Sequence, residues 1–246
     1  MKQSILEERT TPPMLTPTDL QLQTLRLYGE LISRRPSYGG QLILTCGDAC
    51  SATGLPAAVS IAGGTTLAVD PDAATVKVVF RAAGLDFIVN TLDEAIRVLK
   101  NEVRKHTPLS VALTADPVAV LAEMRERGLQ PDLQVALDPP ANPLLVPPAL
   151  LPQLTGVPQL HLTSAEEIAA PTETLTRWLS AHSLTETLVQ PNTSLRALDE
   201  TLLALIAAGD TVRRLWVQRI SHYQRATPGT GRVLWLTPSE QSAIGS

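Results

Sequence analysis

The residues best placed for chemistry lie in a short turn between an apolar strand and an alanine-rich helix. This turn, from Gly47 to Gly54, reads GDACSATG and follows the apolar segment 42–45. A strand, a tight turn and a helix in this order open a dinucleotide-binding unit, in which amides at the helix start bind the pyrophosphate. Ser51 and Thr53 have hydroxyl groups that can donate to a phosphate. However, the turn contains few glycines, and the Asp48 carboxylate would repel the negatively charged pyrophosphate.

Polar residues also follow two later apolar runs. Asp70 lies 23 positions after Gly47, close to the spacing of about 20 expected for an acid that binds ribose. Thr114 and Asp116 come at the end of a further predicted strand. Because ligands of parallel sheets bind at the carboxyl ends of the strands, we expect these residues near the turn. The expected cofactor site comprises Gly47, Asp48, Cys50, Ser51, Thr53, Gly54, Asp70, Thr114 and Asp116.

The sequence indicates neither a catalytic residue nor a metal site. Cys50 stands near a helix start, where a thiol is activated, but a small buried cysteine is the alternative that we favour. Cys46, at a strand end, is expected in the core. The histidines are scattered along the chain and form no HExxH pair.

A basic segment, Thr211–Arg232, holds five arginines and no acidic residue. Interleaved with Trp216 and Tyr223, these arginines suit contacts with phosphate, nucleic acid or a protein partner. The alternative that we favour is an amphipathic helix whose arginines are solvated. Its buried residues would be Val212, Leu215, Trp216, Ile220 and Tyr223.

Strand and helix patterns alternate along the chain, which predicts an α/β fold. The expected architecture is a doubly wound, mostly parallel, Rossmann-like sheet with helices on both faces. Predicted strands cover 42–45, 65–69, 85–89, 109–113, 133–137, 159–162 and 233–236. Predicted helices cover 18–33, 52–62, 71–83, 91–105, a segment from Asp116 to Gly128, a segment opening at 163–167, and then 172–182, 195–208 and 211–223.

Composition shifts divide the chain into four parts. Residues 1–17 read as an extended arm, 18–137 as the Rossmann-like core, and 138–153 as a proline-rich connection. We expect 154–246 to complete the same domain. With 44% apolar residues and a net charge of −4, the chain is expected to be globular and cytoplasmic, with no membrane and no nucleic-acid partner. A small-molecule or nucleotide ligand and a homodimer are the expected partners.

Segments in the first part of the chain resemble the urocanase (urocanate hydratase) family in order and spacing. They are YGGQLILTCG at 38–47, TLAVDPD at 66–72, PLSVAL at 108–113 and RGLQPD at 127–132. The resemblance covers about residues 24–148. It implies a domain that binds NAD tightly, with the nicotinamide acting as an electrophile toward an imidazole substrate to which water is added.

The chain departs from the family's pattern at the residues expected to bind cofactor. Cys50-Ser51-Ala52 replaces a Gly-Met-Gly segment, Asp116-Pro117 replaces Asn-Ala, and 137–141 replaces a Gln-Thr-Ser-Ala-His segment. No match to the segment carrying the family's catalytic cysteine follows Pro148. We therefore expect a binding or scaffolding module that has lost hydratase catalysis. The alternatives are an NAD-dependent hydratase acting on a urocanate-like acid, and a nucleotide or anion binder using the arginines of 211–232.

Overall fold

A six-stranded parallel sheet forms the centre of the fold. The computed structural model describes residues 16–46, 54–81, 84–138, 154–163, 170–224 and 230–244. The strands are β1 (Leu42–Cys46), β2 (Thr65–Asp70), β3 (Phe87–Val89), β4 (Leu109–Thr114), β5 (Leu133–Asp138) and β6 (Gln159–Thr163). They lie in the order β3-β4-β2-β1-β5-β6, and every neighbouring pair is parallel. The predicted α/β, doubly wound sheet is confirmed.

Helices cover both faces of this sheet. They are α1 (Pro17–Arg34), α2 (Leu55–Ile61), α3 (Ala73–Arg81), α4 (Leu92–Lys105) and α5 (Pro117–Glu126). Ile43 packs with residues of α1 and α2, whereas its neighbour Leu44 packs with residues of α4 and α5. Because successive side chains of a strand point to opposite faces, α1 and α2 lie on one face and α4 and α5 on the other. Ala68 and Ala112 pack with α3, which lies on the face of α1 and α2.

Helix ends follow local sequence signals. The spacing of Thr91 and Glu94 in the sequence predicts a capping box, and the two residues form it at the start of α4, while Asp116 caps α5. Gly128 adopts a left-handed backbone just beyond α5, as a glycine after a helix should. The Thr18-Asp19 pair in the sequence predicts a cap for α1 at Thr18, and this prediction was wrong by two positions. Thr16 is the cap and Asp19 completes the capping box, because Pro17 takes the first helical position.

The C-terminal part of the chain adds a second, smaller sheet. Its elements are α6 (Glu173–Ala181), β7 (Thr185–Val189), α7 (Leu195–Leu205), α8 (Thr211–Tyr223), β8 (Arg232–Leu236) and α9 (Pro238–Ile244). β7 and β8 pair antiparallel and form this sheet alone. β7 and α9 were not predicted. The predicted proline-rich connection 138–153 and the helix expected to open at 163–167 lie largely outside the described residues.

Helix α1 is enclosed between the large sheet and the C-terminal elements. Every residue from Gln23 to Ile32 is buried. Tyr28 stacks on Trp216 of α8 and on Trp235 of β8, with ring centroids 5.8 and 6.1 Å apart. Its hydroxyl donates to the Val212 carbonyl at 2.8 Å, and burial raises the pKa of the phenol. One continuous apolar cluster therefore joins α1 and the large sheet to the C-terminal elements.

None of the described helices is both long and apolar enough to cross a membrane.

Candidate functional site

The strand order places the ligand-binding edge between β1 and β5. From β1 the chain goes on to β2 on one side, whereas β5 and β6 lie on the other side. A crevice opens at such a switch point, outside the carboxyl ends of the strands, and this is where doubly wound sheets bind ligands. Here those ends are Cys46 and Asp138. The turn predicted to bind cofactor begins directly after Cys46.

Five of the predicted cofactor residues lie outside the described part of the chain. They are Gly47, Asp48, Cys50, Ser51 and Thr53. The other four are Gly54, Asp70, Thr114 and Asp116. The described geometry of the site therefore depends on the start of α2 and on the ends of β2 and β4.

Asp70 and Thr114 are adjacent, as the prediction required. The register of β2 and β4 pairs the two residues, and the Ala115 amide donates to the Asp70 carbonyl at 3.2 Å. Only 2% of the Asp70 surface is exposed. Its Oδ1 accepts the Asp72 amide at 2.8 Å, so that the carboxylate holds the turn into α3. A ribose hydroxyl would have to compete with this bond.

Asp116 is likewise occupied within its own turn. Its Oδ1 accepts the Val118 amide at 3.1 Å, which caps the first turn of α5. Carboxylates cap helices because they satisfy an amide that the helix leaves unpaired. Asp70 and Asp116 were both predicted as cofactor residues, and each of them binds its own backbone.

Gly54 begins α2 with a left-handed backbone, φ +65°. No described side chain caps this helix. A Cβ on Gly54 would overlap Oγ1 of Thr24. The glycine is therefore needed where α2 packs against α1, whereas a cofactor-binding glycine leaves its Cβ space to the ligand.

Cys46 is the one cysteine in the described part of the chain. It is partly buried and packs against the apolar cluster on the α4 face. Burial raises the pKa of its thiol to about 12. Since the thiolate is the reactive form, the raised pKa makes the Cys46 thiol less reactive at neutral pH.

The arginines of α8 and β8 bind groups of the protein itself. Arg213, predicted to be solvated, is buried and donates to Asp210 and Glu240 at 2.6 and 2.5 Å. Arg214 donates to the carbonyl groups of Leu203 and Ile206, which end α7. The prediction of solvated arginines was wrong because these long side chains satisfy helix ends and buried acids of neighbouring elements.

Arg219 and Arg232 also bind groups of the protein itself. Arg219 donates to the Ser60 and Ile61 carbonyl groups at the end of α2, at 3.0 Å each. Arg232 forms a two-pronged ion pair with Asp199 of α7, at 2.7 and 2.8 Å. Arg225 lies outside the described residues. The hypothesis of an anion site built from these arginines loses four of its five members.

The described residues of the predicted site have partners within the protein. Each of the two acids accepts a backbone amide with its Oδ1, and the helix-start glycine faces Thr24. Among the described residues, no cluster of three or more metal-ligating side chains occurs.

Comparison with known proteins identifies the family of the central part of the chain. The model of the urocanase Rossmann-like domain matches residues 23–143. Among solved structures, the chain is similar to a cyclopropane-fatty-acyl-phospholipid synthase-like protein from Lactobacillus casei ATCC 334. The two are 14% identical over 89% of this chain and 90% of that chain, with a TM-score of 0.27, too low to support an argument. Together with the parallel sheet, the family match shows that residues 23–143 form a Rossmann-like domain of the urocanase family.

Proposed function

We propose that this protein is a urocanase-family Rossmann-like protein that does not hydrate urocanate and works as a binding or scaffolding module. One observation carries the proposal. The acids at the carboxyl edge of the sheet, Asp70 and Asp116, accept amides of their own turns. A ligand site needs acceptors that face the ligand, and these face the backbone.

Sequence departures support the same conclusion. The match to the family ends at residue 143, and the chain carries no counterpart to the segment with the family's catalytic cysteine. In the turn, Cys50-Ser51-Ala52 replaces the family's Gly-Met-Gly segment, and Asp48 adds a carboxylate. A residue with a Cβ allows a pyrophosphate to approach the backbone less closely than glycine does.

Two measurements test the proposal. Purified protein is denatured and its extract analysed for nicotinamide nucleotides by mass spectrometry, and the intact protein is then incubated with urocanate to measure hydration. A urocanase serves as the positive control in both. We expect no stoichiometric NAD and no turnover. Stoichiometric NAD together with turnover of urocanate would overturn the proposal.

One observation favours an NAD-dependent hydratase as the second candidate. Oγ1 of Thr45, next to the end of β1, is buried and has no hydrogen-bond partner among the described residues. A buried hydroxyl without a partner costs about 1–3 kcal/mol, which a ligand group could recover. Under our proposal, Thr45→Val leaves the free energy of unfolding unchanged or raises it, and NAD has no effect on either protein. If NAD stabilises the wild type but not Thr45→Val, the second candidate is favoured.

A further inference from the structure

A small cavity lies between α1, the start of α6 and strand β6. Its volume is about 270 Å³. Sites for drug-sized ligands have about 300–1,000 Å³, so this cavity suits a small molecule and is too small for a dinucleotide. We call it the α1–α6 cavity. The charged and hydroxyl side chains that these two helices contribute to it are those of Arg26, Glu30, Arg34, Thr172, Glu173 and Thr174.

The α1–α6 cavity is separate from the crevice where a dinucleotide was expected. That crevice lies at the carboxyl ends of β1 and β5. Arg34 ends α1, and the Tyr38 hydroxyl donates to the Leu31 carbonyl at 3.1 Å. This bond ties the end of α1 to the segment that enters β1 at its amino end. Helix α6 also lies outside the family match at 23–143, so a ligand in this cavity would be independent of NAD.

A buried carboxylate lines the cavity and already has its partners. The Glu30 side chain is only 6% exposed. One of its oxygens accepts from Nη1 of Arg34, and the other accepts from the hydroxyl of Thr172, which caps α6. Nη1 of Arg34 also donates to the Glu30 carbonyl at 2.7 Å. Glu30 thus holds the Arg34 guanidinium by a single nitrogen atom.

Arg34 keeps two further donors. Its side chain is 37% exposed, and no atom of the described residues accepts from its Nε or Nη2. These two N–H groups are parallel and match the two oxygens of a carboxylate. Arg26 shows the same fork in use, since its Nε and Nη2 donate to Glu186 at 3.0 and 2.7 Å. The fork of Arg34 is therefore the group of the cavity that can bind an anion.

The start of α6 supplies more donors to the same cavity. The Thr172 side chain accepts the Leu175 amide, but the amides of Glu173 and Thr174 have no acceptor among the described residues. Both residues line the cavity. Amides in the first turn of a helix favour an anion, and the helix dipole has its positive end there.

The charges of the cavity favour an anion with a single negative charge. Each arginine and carboxylate that lines it has a partner of opposite charge, so the lining is close to neutral. The pairs are Arg26 with Glu186, Arg34 with Glu30, and Arg177 with Glu173. The α6 dipole adds about half a positive charge, which offsets a larger share of a monoanion than of a dianion. A phosphate dianion would leave excess negative charge beside Glu30.

We propose that the α1–α6 cavity binds a small organic monocarboxylate. The carboxylate of this ligand accepts from Nε and Nη2 of Arg34, and the amides of Glu173 and Thr174 stabilise its charge. Its apolar body packs on Leu27 and Leu175, which are buried and line the same cavity. This ligand goes beyond the proposed function, because a scaffolding module does not require a small molecule.

Two-dimensional amide NMR of the full chain, titrated at constant ionic strength, tests the ligand class. The probes are butyrate and benzoate, and the comparisons are neutral butyramide and inorganic phosphate. We expect at least one of the two carboxylates to bind about tenfold or more tightly than either comparison and to shift the amide signals of Glu173 and Thr174. Binding of neither carboxylate overturns the proposal, and so does phosphate that binds as tightly as they do.

The variant Arg34→Lys tests the fork. Lysine keeps a positive charge beside Glu30 but lacks the two parallel donors, so the dissociation constant of the carboxylate should rise about tenfold or more. Arg196→Lys makes the same exchange in an exposed pair with Glu200 of α7, which does not line the cavity, and should leave the constant unchanged. Circular dichroism checks that both variants are folded.

Two results with these variants would overturn the proposal. One is carboxylate binding that Arg34→Lys leaves intact, and the other is binding that Arg196→Lys weakens as much as Arg34→Lys does. Neither result bears on bound NAD or on turnover of urocanate, which are measured separately.

Discussion

Gly54 and Gly128 share almost the same left-handed backbone, with φ of +65° and +64°, but differ in their surroundings. Gly54 faces Oγ1 of Thr24, whereas a Cβ on Gly128 would meet nothing within 4 Å. Comparing the two positions therefore separates two reasons for glycine, namely a left-handed backbone and a lack of room for a Cβ atom. At Gly54 both apply, because α2 starts directly against α1.

Substitution by alanine should show this difference. Gly128→Ala should cost about 1 kcal/mol of unfolding free energy, from the left-handed backbone alone. Gly54→Ala should cost about 2–4 kcal/mol, because overlap with Thr24 is added to the same backbone cost. Urea denaturation of both variants measures the two values. Equal losses would show that the contact with Thr24 is unimportant.

At the scale of single residues, the sequence predicted caps well and long-range partners poorly. The capping box of Thr91 and Glu94 was predictable because its members are three positions apart. The bond from Arg219 to the carbonyl groups ending α2 spans about 160 positions, and nothing in the local pattern indicates it. Asp70 was placed correctly at the edge of the sheet, but its bond to the Asp72 amide became visible only with the turn in place.

At the scale of elements, α1 connects the two halves of the fold through polar contacts. Its apolar residues predicted a helix, but a polar residue such as Gln21 reads as solvent-facing in the sequence. In the structure, Gln21 donates to Gln224 at 2.7 Å, and Arg26 donates to Glu186 of β7 in three bonds at 3.0, 3.2 and 2.7 Å. These contacts, with the apolar cluster, fix α1 between the two sheets.

Arg26 tests the strength of this connection. Its ion pair with Glu186 is largely buried, with side chains 10% and 16% exposed. Arg26→Met should lower the free energy of unfolding by about 3–5 kcal/mol, because Glu186 is left without its charge partner. Adding Glu186→Leu should restore most of the loss. Arg196→Met, in a pair that is 91% and 67% exposed, is the control and should cost less than about 1 kcal/mol. A loss for Arg26→Met no larger than for this control would contradict the prediction.

A second buried pair makes the stability depend on pH. Burial raises the pKa of Glu240, but hydrogen bonds from Arg213 and from the Thr237 amide outweigh burial and lower it overall. The folded protein therefore binds protons less readily here than the unfolded chain. The pair stabilises the fold above the ordinary carboxyl range, and this contribution is lost as pH falls through the lowered pKa.

The variant Glu240→Gln should reveal that dependence. At pH 7 it should lower the free energy of unfolding by about 2 kcal/mol, since Arg213 loses a charged acceptor. At an acidic pH below the lowered pKa, the wild-type carboxyl is itself protonated, so the difference between the two proteins should shrink. Urea denaturation at both pH values measures it, with Glu200→Gln on the exposed surface as the control. A difference independent of pH would contradict the assignment.

At the scale of the whole molecule, the sequence predicted the large sheet and missed the small one. Strands β1 to β4 read as apolar runs, and each is followed by a helix. β7 reads TETLV and is only partly buried, so that neither an apolar run nor a clear alternation marks it. Its partner β8 lies beyond two helices, and the pairing of Thr185 with Leu236 joins residues far apart in the chain.

A chain that stops at Asp138 should therefore not fold cooperatively. It retains most strands of the large sheet but loses Trp216 and Trp235, which cover Tyr28. We expect no near-ultraviolet circular dichroism and a broad urea transition, because the buried face of α1 would meet water. A sharp transition with a native-like spectrum would show instead that the first part of the chain is stable on its own.

The elements that enclose α1 are synthesised much later than α1 itself. The amide of Val233 donates to the side chain of Gln21, a separation of 212 positions. A ribosome adds about 5–20 residues per second, so α1 emerges at least ten seconds before β8 exists to cover it. The nascent chain thus carries an exposed apolar helix for most of its translation, and a molecular chaperone that shields such helices would find its substrate there.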